Sequence, residues 1–133
     1  MAVVVVGVAL LDSAGRVLAA QRARPITLAG FWEFPGGKVE PGESDRAALV
    51  RECQEELRVG VLLDDRLGPD LALPGGAGVL RIWTGRVLAG DPVPVEHAAL
   101  RWLAAAELED VDWLPTNRPL LAVLGDRLGG GRR

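Results

Sequence analysis

The chain opens on an almost unbroken apolar run, AVVVVGVALL at residues 2 to 11. Apolar residues without alternation over that length predict a central strand buried on both faces. DSAGR supplies turn chemistry, and VLAAQR is then expected to return as the partner strand of a hairpin. ARPITLAG reads as a loop, FWEF as a short strand stopped by Pro35 and two glycines, and KVEPGE as further loop. At Ser44 the period changes. Ser44 is placed to cap a helix and Asp45 to sit in its first turn, where negative charge is favourable. In DRAALVRECQEEL the apolar positions Ala47 or Ala48, Leu49 or Val50, Cys53 and Leu57 recur at helical spacing.

VGVLL and VLRIWTGRVL read as strands, with PGGAG a turn between them and Pro92 and Pro94 breaking the chain afterwards. ALRWL is a short strand, AAELED a helical turn, and NRPLLAVLGDRL a closing amphipathic helix. No repeat or linker divides the sequence, so residues 1–128 are expected to form one domain and GGGRR, residues 129–133, a frayed tail. Strands and helices both occur in this reading, so the fold is expected to be α/β.

Composition narrows the function. The 133 residues, 49% hydrophobic and 25% charged, are ordinary for one globular domain. A net charge of −3 with no basic tract argues against a general binder of nucleic-acid polymers or membrane surfaces. The N-terminal apolar run is too short to span a bilayer and lacks the flanks of a signal peptide. One cysteine, Cys53, allows no internal disulfide, which makes a reducing, cytoplasmic setting the default.

RECQEEL, residues 51 to 57, poses the chemical question. On a helix, Glu52, Glu55 and Glu56 fall within an arc of about 100°. Each pair repels by a few tenths of a kcal/mol, and together they crowd the helix's negative end. A cation would offset this. Just upstream, PGGKVEPGE offers a backbone whose carbonyls a ligand can approach closely. Mg²⁺ wants one or two carboxylates plus other oxygens, whereas zinc would find only one His and one Cys.

The spacing is more specific still. From Gly37, five residues lead to Glu43, and seven more to RECQEELRV. This segment, Gly37 to Val59, resembles the signature of the Nudix hydrolases at every fixed position but one: Arg58 stands where the family has glycine. Arg58 must therefore adopt positive φ, or the helix must run on to Gly60. The resemblance implies a Nudix fold, a mixed β-sheet sandwiched between α-helices. It also implies hydrolysis of a nucleoside diphosphate linked to another group, with Mg²⁺ as cofactor and Mn²⁺ as a substitute. The Gly37 carbonyl, Glu52, Glu55 and Glu56 are the implied metal ligands. Arg51 would orient a carboxylate such as Glu55, and Glu43 would brace the loop. Glu52 and Glu96 are the two candidates for the base that takes a proton from water.

QRARPITLAGFWEFPGGK and DVDWLPTNRP extend the resemblance to MutT-type nucleoside triphosphate pyrophosphohydrolases, including members acting on CTP and dCTP. By that likeness Asn117 approaches the base, whose edge suits an amide that both donates and accepts. Trp32 and Phe34 are candidates to stack on the base or line its pocket. Gly36, Arg22, Lys38 and Arg81 are candidates for contact with phosphate or base. The expected partner is a small nucleotide, and the expected state a monomer or homodimer. Cytidine triphosphates, 5-methyl-dCTP included, are the first-choice substrates. The alternatives are 8-oxo-dGTP, ADP-ribose (for which Pro74 is a weak marker), and a non-catalytic nucleotide sensor. Cys53 is expected in the core, His97 at the surface, and Trp83, Trp102 and Trp113 in core or anchoring positions.

Overall fold

The computed structural model describes residues 2–129. In chain order the elements are β1 (Val3–Leu10), β2 (Val17–Gln21), β3 (Trp32–Glu33), β4 (Gly36–Lys38), α1 (Asp45–Leu57), β5 (Gly60–Arg66), β6 (Leu71–Ala72), β7 (Gly78–Ala89), β8 (Ala99–Leu103) and α2 (Leu121–Gly129). Short 3₁₀ turns occupy Pro74–Gly76, Ala105–Asp110 and Arg118–Leu120. The main sheet has the order β4-β1-β7-β5, with β6 also on β7. It is mixed, since β1 runs parallel to β7 and antiparallel to β4. A second, antiparallel sheet has the order β3-β2-β8.

β1 is central and buried on both sides, as its unbroken apolar run predicts. Val6, Val8 and Leu10 pack with Ala48, Leu49, Cys53 and Leu57 of α1. Ala9, between them, joins the other core with Trp113, Leu121 and Leu124. The sheets therefore lie between α1 and α2, the arrangement expected of an α/β sandwich. Each fully buried Leu in these cores contributes about 1.5–3 kcal/mol relative to exposure.

α1 begins where its sequence says it should. The Ser44 side chain accepts a hydrogen bond from Ala47 N at 3.1 Å, a cap that contributes about 1 kcal/mol. It ends at Arg58, which takes the left-handed conformation, φ 58° and ψ 38°, and donates its N–H to Gln54 O. That settles the family departure: the helix stops at the family's position, and Arg58 bears the strain that glycine avoids, about 1 kcal/mol.

Three expectations are corrected. β1 and β2 do not pair as a hairpin; their ends are joined by an isolated bridge, Leu11 to Val17, and by Asp12 N donating to Arg16 O at 2.9 Å. Both edges of β1 are already taken by β4 and β7, so β2 builds the second sheet with β3 and β8. Gly36–Lys38 is a strand, not loop: Val5, Val6 and Gly7 pair with Lys38, Gly37 and Gly36. The closing helix starts later, with a 3₁₀ turn at Arg118–Leu120 leading into α2. Gly129 closes α2, and the rest of the expected tail, 130–133, lies outside the described residues.

Candidate active site

Three local devices bring the Nudix-like residues together. The β1–β4 pairing carries Gly36 and Gly37 alongside α1, so close that a Cβ on Gly37 would overlap the Glu52 carboxylate, and one on Gly36 would overlap Val6 O. Both positions need glycine for closeness of approach. Arg51 then ties loop to helix. It donates from Nε to Glu43 Oε2 at 2.7 Å, from Nη2 to Glu43 Oε1 at 3.0 Å, and to the Lys38 carbonyl at 3.2 Å. Its Nη1 reaches Glu52 at 3.1 Å and Glu55 at 3.3 Å. Glu43 also accepts from Glu40 N at 2.9 Å, so both ends of the loop are held. The Arg51 hydrogen bond, with the Glu40 amide second, lowers the Glu43 carboxyl to about 2. Glu43 in turn raises Arg51 further above its ordinary range.

The three helical carboxylates meet different surroundings. Glu52 faces Gly37 with its side chain only 15% exposed. Glu56 is more deeply set, and its Oε1 is buried without a hydrogen-bond partner among the described residues. Burial first, then Glu52, Glu33 and Glu96, push its carboxyl well above the usual range. Glu55 is turned outward onto Arg51 and is 58% exposed, so it does not converge with the other two. Among the described residues, no three Asp, Glu, His or Cys side chains form a ready cage. An orphaned carboxylate oxygen, a second carboxylate and a closely approached glycine backbone do fit a hard cation that takes its remaining ligands from water and phosphate.

Two clefts meet here. One, of about 150 Å³, is lined by Glu56, Glu96, Glu33, His97, Gly36, Arg22, Ala23 and Arg24. The other, about 480 Å³, has apolar walls from Leu28, Phe34, Leu73, Pro74, Leu80 and Leu114, with Asn117, Thr116 and Lys38 also in its lining. Arg22, Glu33 and Gly36 line both. Asn117 is buried, and its Oδ1 accepts from Phe34 N at 3.1 Å. It makes no side-chain cap on the turn that follows. Its NH₂ group has no protein partner among the described hydrogen bonds, which leaves the amide's donor end for a ligand.

Other expected residues lie elsewhere. Arg81 alternates with Leu80 along β7, so while Leu80 faces the apolar pocket, Arg81 pairs with Asp45 at 3.2 Å and Asp70 at 3.3 Å. It lines neither cleft. Trp32 lines neither as well; it packs against the core containing Trp113, and its backbone bridges that residue. Phe34 is the aromatic at the pocket, its ring 4.9 Å from that of Trp113. His97 is not at the surface: its side chain is 7% exposed, with Nε2 3.0 Å from Glu33 Oε2. Cys53 is core as expected, its thiol pushed up to about 12 chiefly by burial.

Sequence reasoning passed over Glu33 and the apolar pocket wall. The available signal for Glu33 was its place in FWEF, a charged residue among apolar ones leading into the glycines. It lines the large cleft together with Phe34, because β3 ends at Glu33 and strand alternation does not carry on to Phe34. Nothing distinguishes Leu28, Leu73, Leu80 or Leu114 from core leucines until the fold is known.

Residues 1–124 match the family model described as NUDIX domain. The chain is 50% identical over 117 residues to a Mycobacterium tuberculosis protein named "Putative 8-oxo-dGTP diphosphatase 2", covering 86% of this chain and 82% of that one. It is 36% identical over 122 residues to the Escherichia coli protein named CTP pyrophosphohydrolase, covering 91% and 90% respectively. The solution structure of the E. coli ORF135 protein superposes with a TM-score of 0.79 at 32% identity, over 98% of this chain and 92% of that one. With the glycine strand, the Arg51 clamp and the carboxylate helix in place, the chain belongs to the Nudix hydrolase family.

Proposed function

We propose that this enzyme converts nucleoside triphosphates to the monophosphate and pyrophosphate with Mg²⁺ as cofactor, and that cytidine triphosphates are its first substrates. The observation that carries the reading is the junction of the two clefts. An anionic chain and a flat, largely apolar base need adjoining sites of opposite character, and Arg22, Glu33 and Gly36 border both.

In this reading the Gly37 carbonyl, Glu52 and Glu56 hold the ion, and Glu55 joins them by turning away from Arg51. When bound, the ion neutralises the crowded phosphate oxygens and stabilises the leaving pyrophosphate. Arg22 and Lys38 contact the phosphate chain. Glu52 or Glu96 accepts the proton of the attacking water. Phe34 and the leucine wall take the base, and the Asn117 NH₂ donates to an acceptor on its edge. The likeness to the E. coli CTP pyrophosphohydrolase, over 91% of this chain, supports cytidine. The M. tuberculosis relative favours 8-oxo-dGTP as the second reading, since its O6 offers the same amide an acceptor.

Glu52→Gln tests the chemistry. It keeps the side chain's shape and removes its charge, so turnover should fall by at least about 10²-fold with the circular dichroism spectrum unchanged. Turnover within threefold of the parent would refute the assignment.

A further inference from the structure

His97 is the one histidine in the chain, and its environment is unusual for a residue flanked by alanine and an acid. It sits in the connection between β7 and β8. Backbone bonds anchor that connection on either side, from Val95 N to Glu56 O at 3.2 Å and from Ala98 N to Gln21 O at 2.8 Å. Between these anchors, His97 Nε2 meets Glu33 Oε2 at 3.0 Å. A carboxylate oxygen accepts, so Nε2 carries the proton and Nδ1, buried without a partner among the described residues, is bare in the neutral ring. The other Glu33 oxygen accepts from Arg22 Nη1 at 3.0 Å. A three-residue chain thus joins separate segments across the junction of the clefts.

The small cleft holds three carboxylates, Glu33, Glu56 and Glu96. Glu96, and Glu56 whenever it is ionised, would repel Glu33 in whatever direction is open. His97 and Arg22, one on each oxygen, remove that freedom. Arg22 gains a fixed partner in return, where an unheld arginine would sample several rotamers before meeting a phosphate.

We propose that His97 is a positioning residue: by donating to Glu33 it sets Glu33 to hold Arg22 at the junction of the two clefts, ready for the substrate's phosphate chain. The last step rests on the reading of Arg22 as a phosphate contact; the hold of His97 on Glu33 does not.

Two measurements test it on the intact chain. Because no other histidine contributes, a long-range ¹H–¹⁵N spectrum reports His97 alone. It should show the Nε2–H tautomer in the parent and a shifted Nε2 resonance in Glu33→Gln. An Nδ1–H tautomer, or no shift in that variant, would overturn the hold. In kinetics, His97→Phe should raise KM for a nucleoside triphosphate about tenfold, the scale of one charge-assisted hydrogen bond, with a smaller change in kcat. His97→Gln, which can return an N–H to Glu33, should recover most of the loss. In the Glu33→Gln background His97→Phe should add less than twofold. Losses that multiply, or no rescue by glutamine, would make His97 merely structural and overturn the proposal. If Arg22→Ala leaves KM unchanged while the tautomer and its shift are as expected, the phosphate reading of Arg22 fails, and with it the final step; the hold on Glu33 stands.

Discussion

Replacing Asn117 by alanine separates the fold contact that its amide makes from the base contact proposed for it. In the fold, Oδ1 satisfies the buried Phe34 N–H at 3.1 Å; toward the ligand, the NH₂ group is the free end. Alanine removes the acceptor and strands a buried donor, which costs about 1–3 kcal/mol. For a domain of this size, roughly 3–5 °C of melting temperature goes with each kcal/mol, so Tm should fall by about 3–15 °C. The Phe34 amide should lose hydrogen-exchange protection more than its neighbours. The ligand-side loss is one hydrogen bond to a base, with that base's acceptor left dry, which lowers kcat/KM about 5–150-fold for the preferred nucleotide. A nucleotide whose base the site already ignores should lose less than threefold. The Mg²⁺ concentration for half-maximal activity should move less than twofold, because Asn117 lines the apolar pocket and not the carboxylate cleft. The assays are a melting curve, amide exchange at Phe34, and kcat/KM for several bases at saturating Mg²⁺. Equal losses for every base, with Tm down as expected, would leave Asn117 a structural residue and refute its role at the base.

Two further predictions follow from α1 and its loop. Arg58→Gly should relieve the left-handed strain at φ 58°; offset by glycine's larger unfolded-state entropy, the net gain is about 0.5 kcal/mol, seen as a Tm rise of roughly 2 °C. A lower Tm would mean that the arginine makes an offsetting contact. Glu43 is held ionised down to about pH 2 by Arg51, against an ordinary 4.5, so between those values the unfolded chain binds more protons. Its contribution is therefore complete above pH 4.5 and is lost as pH falls toward 2. In denaturant titrations, Glu43→Gln should flatten that part of the stability profile, and an unchanged slope would show that the clamp does not couple to folding.

α1 was readable because its signals are local. Ser44 caps, Asp45 follows, and Ala48, Leu49, Cys53 and Leu57 recur on one face, so each residue's neighbours in sequence are also its neighbours in space. The nearness of Glu52 to Gly37 was legible from the spacing between them, which the helix and β4 bring into contact. Pairing partners were not. Nothing in VLAAQR reveals that both edges of β1 are occupied by strands that come later in the chain. Gly36–Lys38 was hidden by composition, since glycine has poor strand propensity and is held there by its approach to Val6 and Glu52. Arg81 and Trp32 have suitable chemistry, but Arg81 is turned to Asp45 and Asp70 and Trp32 packs against the core around Trp113, so neither lines a cleft. Glu55 shows a finer limit, since helical spacing places its Cα beside the other two while Arg51 decides where its carboxylate points.

The most direct test of the account is pyrophosphate release with Mg²⁺ across CTP, dCTP, 5-methyl-dCTP, 8-oxo-dGTP, dGTP, ATP and ADP-ribose, compared by kcat/KM. The account predicts turnover to the monophosphate and pyrophosphate, highest for a cytidine triphosphate and abolished by chelation. An 8-oxo-dGTP maximum would keep the machinery and replace the base assignment, while ADP-ribose as the best substrate, or silence across the whole panel, would contradict the account.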